Sequence, residues 1–271
     1  MANCIADLEV GYRFMATPDP EDKASALFAP PTMAPLRHPV ESRSGKRTLA
    51  VCKAWFEAAD PAVLNLCTQA LDHYASLGYT IVDISIPYLH EGQIAHALTI
   101  MTEAGSTVSH PQDFSPGNQI LLATFRQTQS GDFLLAQKMR NLLMQHLSWL
   151  WEQHPGMLVM SPTTPNAGWE IGKGELGCGG VSNGNMSVRN MTYVWLANFT
   201  GCPAISVPVG MAEGGAGGKG KMPVGLMAMG EWGDEGGLLE WGWVCERWVR
   251  KEGRMERPGG WSDVLGIVGG R

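Results

Sequence analysis

The feature that most constrains the fold is an early strand–helix–strand pattern. Thr48 to Cys52 and Tyr79 to Ile86 each predict a strand. The helix between them begins at Asp60, which is typical of an N-cap, with Pro61 in the first helical position, and it ends at Gly78. A helix that connects two strands in this way makes a crossover onto a parallel pair, so the pattern predicts an α/β fold. One stripe of this helix is expected to lie on the sheet: Val63, Leu66, Cys67, Ala70, Leu71, Tyr74 and Leu77.

Composition narrows the class of protein and its partners. The chain has 271 residues, of which 44% are hydrophobic and 17% charged, and this suits one large α/β unit. Its formal charge is -6 and no basic stripe appears, so nucleic acid is not expected as a partner. No apolar run reaches the ~18–20 residues of a membrane helix, and Met1 to Asp7 does not resemble a secretory signal. We therefore expect a cytoplasmic protein that does not enter a membrane.

Hydrophobic periodicity and turn residues place the remaining elements. The first helix has no recognisable cap before it, and the long helix has its apolar residues on one side. That side is expected to hold Leu135, Met139, Leu142, Leu143, His146, Leu147 and Leu150. We predict helices over 5–15, 89–107, 132–154 and 185–200 and from Asp234 through Trp248, strands over 157–160, 202–210 and 222–230, and loops over 28–47, 111–117 and 172–185.

Cysteine and histidine usage predicts neither disulfides nor a metal site. The six cysteines are scattered without a C-x-x-C pair, which favours reduced thiols, mostly in the core. The seven histidines show no ligand spacing with cysteine or carboxylate residues. We expect them at the surface or at helix ends, and no cofactor is expected.

Two glycine-rich segments resemble catalytic loops without meeting their requirements. Gly215 to Lys221 matches G-x-x-x-x-G-K, but Met222 stands where a serine or threonine should hold magnesium, and Pro223 opens a strand rather than a helix. Ser182, with Lys173 upstream, lacks a group that would orient a base, so a plain loop serine is favoured over a nucleophile.

The run S-P-T-T-P offers better candidates for a binding site. It follows a predicted strand, where open α/β sheets place their ligands. The hydroxyls of Thr163 and Thr164 either face a pocket or bond to the local turn, and both alternatives remain open. Asn198, three residues before the helix-ending Gly201, is a pocket donor or a helix-end cap, and the cap is favoured.

Five runs in register resemble the C-terminal half of amidase-signature enzymes. Singly each run is weak, but together they follow the order of that family along nearly the whole chain. They are M-A-N-C-I-A-D-L with P-D-P-E-D, the unit from Asp60 to Pro87, V-M-S-P-T-T-P, N-F-T-G-C-P-A-I-S-V-P-V-G, and M-P-V-G-L-M-A-M-G before D-E-x-x-L-L.

The resemblance implies an α/β fold in which helices flank a mixed β-sheet, and hydrolysis of a carboxamide bond. It implies proximity to the substrate pocket for Thr163, Thr164, Asn198 and Cys202. Enzymes of this family use a lysine and two serines, which lie upstream of the matched segment, and the sequence has no G-S-S-G-like run. No catalytic residue can therefore be assigned. The subfamily that transamidates on tRNA is disfavoured, because Asn190, Met191 and Thr192 stand where it tends to have an acidic residue.

These observations lead to two hypotheses about function. In the first, residues 1–250 are the C-terminal portion of one incomplete amidase domain, followed by a loosely ordered tail over 251–271. Such a chain needs the missing half to act on a small-molecule amide and is inactive alone. In the second, the chain is a non-catalytic pseudoenzyme or subunit that acts as an interaction protein. Either way, an exposed sheet edge is expected through which copies associate into a homo-oligomer.

Overall fold

The computed structural model describes residues 1–23, 25, 47–171, 183–214 and 220–255. Within them, five strands form one mixed sheet in the order β2-β1-β3-β5-β4, with helices packed against it. This confirms the predicted α/β fold. Lys173, Ser182, Cys178, most of the 28–47 loop, most of the 215–221 run and the chain from 256 onward lie outside the described residues. The strands are β1 (Thr48–Val51), β2 (Thr80–Asp83), β3 (Leu158–Pro162), β4 (Ala204–Glu213) and β5 (Lys221–Met229).

The predicted crossover is present and its two strands are parallel. β1 pairs with β2 in parallel register, with Thr48 opposite Thr80. Helix α3 (Pro61–Ser76) connects them, and Gly78 with φ +91° follows its end. β2 covers only Thr80–Asp83, half of the predicted strand, because it lies at the edge of the described sheet and pairs there with β1 alone.

Three helices lead from β2 to β3. They are α4 (Leu89–Thr107), α5 (Pro116–Phe125) and α6 (Ser130–Gln153). A short helix, α2 (Lys53–Phe56), lies earlier, between β1 and α3. The predicted loop at Pro111–Gly117 holds only in part, because a 3₁₀ turn occupies Pro111–Asp113 and α5 begins at Pro116. Proline is compatible with the first turn of a helix, so it starts α5 rather than preventing it.

The predicted buried side of α6 is wrong in part. Leu143, Leu147 and Leu150 are buried as expected, but Leu135 and Leu142 are 62% and 39% exposed. Ala136 and Trp151 are buried instead. Apolar residues occur on both sides of this helix, and its packing against α4 and α8 (Trp195–Thr200) selects the side that includes Trp151.

The last two strands form the predicted hairpin, and a helix follows them. β4 and β5 are antiparallel, with an irregularity between Pro208 and Gly210. Helix α9 (Glu235–Lys251) has Asp234 as its N-cap, whose carboxylate accepts the Gly237 N–H at 3.2 Å. This confirms Asp234 as the cap.

The first helix, α1 (Ile5–Met15), does have a cap. The Cys4 sulfur accepts the Asp7 N–H at 3.4 Å, so the expectation of an uncapped helix is wrong. Cysteine is a weak acceptor and is not among the usual N-cap residues, which explains why the sequence pattern did not indicate it. The helix is attached to α9, because the Ile5 N–H donates to Glu246 Oε2 at 2.8 Å.

Helices α3 and α9 pack together on one face of the sheet. The Tyr74 ring stacks on Trp241 with 5.6 Å between ring centroids, and its hydroxyl donates to the Trp241 carbonyl oxygen at 2.8 Å. Ile205 and Val207 of β4 turn toward this layer and are buried, whereas Ala204, Ser206 and Pro208 turn to the other face and are exposed. Part of the core therefore lies under α3 and α9, and the exposed β4 side chains Ala204, Ser206 and Pro208 lie on the opposite face of the sheet.

Candidate functional site

The candidate site lies where β3 ends beside the hairpin. Ser161 and Pro162 are the last two residues of β3, and Thr163 follows them. The Thr163 N–H donates to the Gly225 carbonyl oxygen at 2.9 Å, and its Oγ1 lies 2.5 Å from Ser206 Oγ. Thr163 therefore faces β5 with its backbone and reaches β4 with its side chain.

Gly225 of β5 makes this hydroxyl pair possible. A Cβ at Gly225 would lie 2.6 Å from Thr163 Oγ1 and 2.7 Å from Ser206 Oγ, closer than non-bonded atoms approach. Pro208 lies opposite Gly225 in the register of the hairpin and is exposed. The two hydroxyls thus sit directly over bare backbone, on the accessible face of the sheet.

A buried amide holds the turn that follows Thr163. Asn166 is 7% exposed, its Nδ2 donates to Asn190 Oδ1 at 2.8 Å, and its Oδ1 accepts the Gly168 N–H at 3.0 Å. The Thr164 hydroxyl donates to the Asn166 carbonyl oxygen at 2.9 Å. Thr164 therefore uses its hydroxyl in the local turn, while Thr163 directs its hydroxyl across the sheet to Ser206.

A backbone hydrogen bond joins this turn to the start of α3, and an ion pair joins the start of α3 to Arg189. The Asp60 N–H donates to the Pro165 carbonyl oxygen at 2.7 Å, and the Asp60 carboxylate accepts a hydrogen bond from Arg189 at 2.5 Å. Arg189 belongs to α7 (Gly184–Asn190), the helix that also carries Asn190. The start of α3 and α7 therefore both contact the turn and fix its position.

Asn198 and Cys202 occupy different surroundings from the threonines. Asn198 is exposed on α8, and the left-handed residue that ends this helix is Gly201, with φ +75°. Cys202 is 7% exposed and accepts the Thr200 hydroxyl at 3.3 Å. Among the hydrogen bonds of the described residues, none joins Asn198 or Cys202 to the Thr163–Ser206 pair. The four predicted pocket residues are thus brought together only in part.

Sequence reasoning missed Ser206 and Gly225, which complete the hydroxyl pair, and Asn166, Asn190 and Arg189, which fix the turn. Both residues belong to runs that carry the family resemblance: Ser206 to C-P-A-I-S-V-P and Gly225 to M-P-V-G-L. Neither run indicates that its residue contacts Thr163, because Thr163 and Ser206 are 43 positions apart in the sequence.

The buried thiols are poor nucleophiles. Burial raises the pKa of Cys202 to about 11, and the pKa values of Cys67 and Cys245 to about 12. Because these pKa values lie well above 7, the thiols stay protonated near neutral pH. The reactive form of cysteine is the thiolate, so these residues are unreactive. The cysteines that the structure describes are all free, and four of the five are buried.

The histidines were expected at the surface or at helix ends, and this is wrong for His96. It is 2% exposed inside α4, with its ring 5.9 Å from Phe199, and burial lowers its pKa. In the described part of the chain, no cluster of histidine, cysteine and carboxylate groups is arranged to hold a metal ion. Nor does any helix there combine the length and apolar character needed to cross a bilayer.

Comparison with known proteins identifies the family. The family model described as Amidase matches residues 1–239, which is most of the chain. The chain belongs to the amidase family. The match includes β3, the Thr163 turn and the whole β4–β5 hairpin, so every element of the candidate site lies within the family domain.

Individual relatives of the amidase family agree with this assignment. A fatty acid amide hydrolase from Oryza sativa subsp. indica is 28% identical over 98% of this chain and 43% of its own length. A glutamyl-tRNA(Gln) amidotransferase subunit from Myxococcus xanthus is 26% identical over 91% of this chain and 54% of its own. The solved structure of 6-aminohexanoate cyclic dimer hydrolase has a TM-score of 0.65 at 16% identity, covering 91% of this chain and 53% of that one. The chain thus spans about half the length of the relatives it matches.

Proposed function

We propose that this chain forms one wall of the substrate pocket of an amidase that hydrolyses carboxamide C–N bonds in small molecules. The observation that carries the proposal is the amidase family match over residues 1–239. The Thr163–Ser206 pair supports it, because two hydroxyls on an accessible sheet face offer donors and acceptors to an amide group. Thr164, Asn198 and Cys202 remain proposed neighbours of the pocket. By family resemblance, residues 1–250 correspond to the C-terminal portion of one amidase domain.

The chain on its own is expected to be inactive. The sequence has no G-S-S-G-like run, and the family resemblance assigns the nucleophile and the catalytic lysine to no residue here. Nucleophilic attack and oxyanion stabilisation each contribute several kcal/mol to amide hydrolysis, so their loss abolishes measurable turnover. The free cysteines support a reducing compartment, and we propose the cytoplasm.

Two measurements test the proposal separately. Release of ammonia or amine from small aryl and aliphatic amides should be undetectable with the purified chain. Turnover that is lost when one serine is changed to alanine would contradict the proposed inactivity. Binding is tested by NMR with benzamide, which should shift the backbone amide signals of Thr163, Ser206 and Gly225. Shifts confined to regions far from these residues would contradict the pocket wall.

The second candidate function is that of a non-catalytic subunit. It is favoured by the exposed side chains of β4 next to the candidate site and by the open strand at the other edge of the sheet. One relative is itself part of a multi-chain amidotransferase, since it is named as one of its subunits. This function requires a stable stoichiometric partner, which size-exclusion chromatography with light scattering would reveal as a complex of defined mass. A chain that elutes only as a monomer, with or without candidate partners, would contradict it.

A further inference from the structure

The outer side of β2 carries backbone groups that have no hydrogen-bond partner within the described part of the chain. The Thr80 N–H donates to the Arg47 carbonyl oxygen at 3.2 Å, and the Ile84 N–H donates to the Val51 carbonyl oxygen at 3.0 Å, so both point toward β1. Backbone groups alternate in direction along a strand, so Ile81 and Asp83 turn their N–H and C=O groups outward. Among the described residues, no strand pairs with that side.

A side chain of α6 bounds this open edge. The ring nitrogen Nε2 of His146 lies 2.7 Å from the Ser85 carbonyl oxygen, just beyond the end of β2. The free edge is therefore a short, defined segment at Ile81 and Asp83. Its length suits one short added strand rather than a long sheet.

A groove of about 510 Å³ runs beside the same edge. One flank of α3 forms a wall, because Leu64, Thr68 and Leu71 follow one another at helical spacing. Ile81 of β2 contributes to the opposite side and is 39% exposed. Phe56 of α2 closes one end. The groove is thus mostly apolar and lies between an edge strand and a helix.

The end of the groove near the carboxyl ends of β1 and β2 is acidic. Lys53, Glu57 and Asp83 line it, which gives two carboxylates against one ammonium group. Lys53 Nζ and Glu57 Oε1 are 3.9 Å apart with side chains 70% and 52% exposed, so this pair is weak. Asp83 uses one carboxylate oxygen, Oδ1, to accept the Lys53 N–H at 3.3 Å, and its side chain remains at the rim of the groove. A partner with a positive charge at this end is therefore favoured.

We propose that the groove between β2 and α3 binds an extended segment of another protein as an added strand. The backbone of that segment pairs with Ile81 and Asp83, its alternate apolar side chains enter the groove, and a basic residue meets Asp83. Main-chain hydrogen bonds give affinity in this binding mode, and pockets for alternate side chains give specificity. The proposal is independent of amide hydrolysis, because the groove and the Thr163–Ser206 pair are formed by different residues.

A second copy of this chain fits the groove less well than such a segment. Ile81 and Asp83 of β2 line the groove and share a face of the sheet with Val51, which also lines it. Self-pairing would bring a second Asp83 to a rim that is already acidic. An alternating apolar segment with a basic end avoids this repulsion.

The test uses a designed probe and matched variants of the full chain. The probe is a short fluorescein-labelled peptide that alternates valine and threonine and ends in lysine, and its binding is measured by fluorescence anisotropy. Ile81→Pro removes an outward N–H without touching the bonds to β1. Thr68→Lys places a long charged side chain in the groove, and Asn65→Lys adds the same charge on an exposed position of α3 outside the groove.

The expected result is saturable binding that weakens about tenfold or more with Ile81→Pro and with Thr68→Lys but is unchanged with Asn65→Lys. The same peptide with alternate backbone nitrogens methylated, or with glutamate in place of lysine, should bind far more weakly. Circular dichroism establishes that each variant is folded. Absence of saturable binding, equal binding of the methylated peptide, or a dimer of the native chain that Ile81→Pro dissociates would each overturn the proposal.

Discussion

Replacing Gly225 with alanine drives a methyl group into the Thr163–Ser206 pair. The new Cβ would lie 2.6 Å and 2.7 Å from the two hydroxyl oxygens and 3.2 Å from Thr163 Cβ. The hydroxyls must separate, which costs their hydrogen bond, about 1 kcal/mol. The crowding adds about 1–3 kcal/mol because Thr163 is also tied to β5 through its backbone. We expect the free energy of unfolding to fall by roughly 2–4 kcal/mol.

Urea denaturation monitored by tryptophan fluorescence measures this loss. Making the same change in a background without the two hydroxyls identifies its cause. In a Thr163→Ala/Ser206→Ala background the oxygens are absent, so the added Gly225→Ala change should cost less than about 1 kcal/mol. Gly131→Ala in α6 is the control, because a Cβ there meets nothing within 4 Å and alanine favours helix. An equal loss in both backgrounds would refute the argument, since the penalty would then arise from something other than the hydroxyl pair.

Three further predictions concern the helices and the buried groups. Asp234→Ala should lower the free energy of unfolding by about 1 kcal/mol or more and Asp234→Asn by less, because asparagine keeps the N-cap of α9; equal losses in thermal denaturation would contradict this. Burial lowers the pKa of His96 in the folded state, so the unfolded chain binds its proton more readily and stability should fall as the pH drops below about 6.5. His96→Gln should reduce that loss when urea denaturation at pH 7.5 is compared with pH 5.5, and an unchanged pH dependence would contradict the assignment. Cys202 should react with iodoacetamide at pH 8 roughly 100-fold more slowly in the native chain than in urea, followed by peptide mass spectrometry, because burial keeps its thiol protonated.

Several elements could be predicted from local sequence because local chemistry fixes them. Asp60, Pro61 and Gly78 mark the start and the end of α3, and Asp234 caps α9 as expected. The start of α5 resembles a loop because Pro116 and Gly117 are adjacent there, but the first turn of a helix tolerates them. These cases depend on residues within a few positions of each other.

The candidate site could be predicted only in outline. The S-P-T-T-P run does follow a strand, and Thr163 does present its hydroxyl on the sheet. Its partner Ser206 and the bare backbone at Gly225 come from two other strands, so no local pattern could pair them. The difference between Thr163 and Thr164 likewise depends on Asn166, whose position is set by Asn190 of another helix.

By itself, the sequence determined that this chain has an α/β fold and carries the amidase family pattern, because strand alternation, helix caps and turn residues act over short distances. Only the tertiary structure decided which side of α6 is buried, since apolar residues occur on both sides and the neighbouring helices cover one. It also decided that Thr163 and Ser206 meet over Gly225, because strand register brings distant residues into contact. The edge at β2 was decided in the same way: a strand has a free side only when the order of the whole sheet places it last.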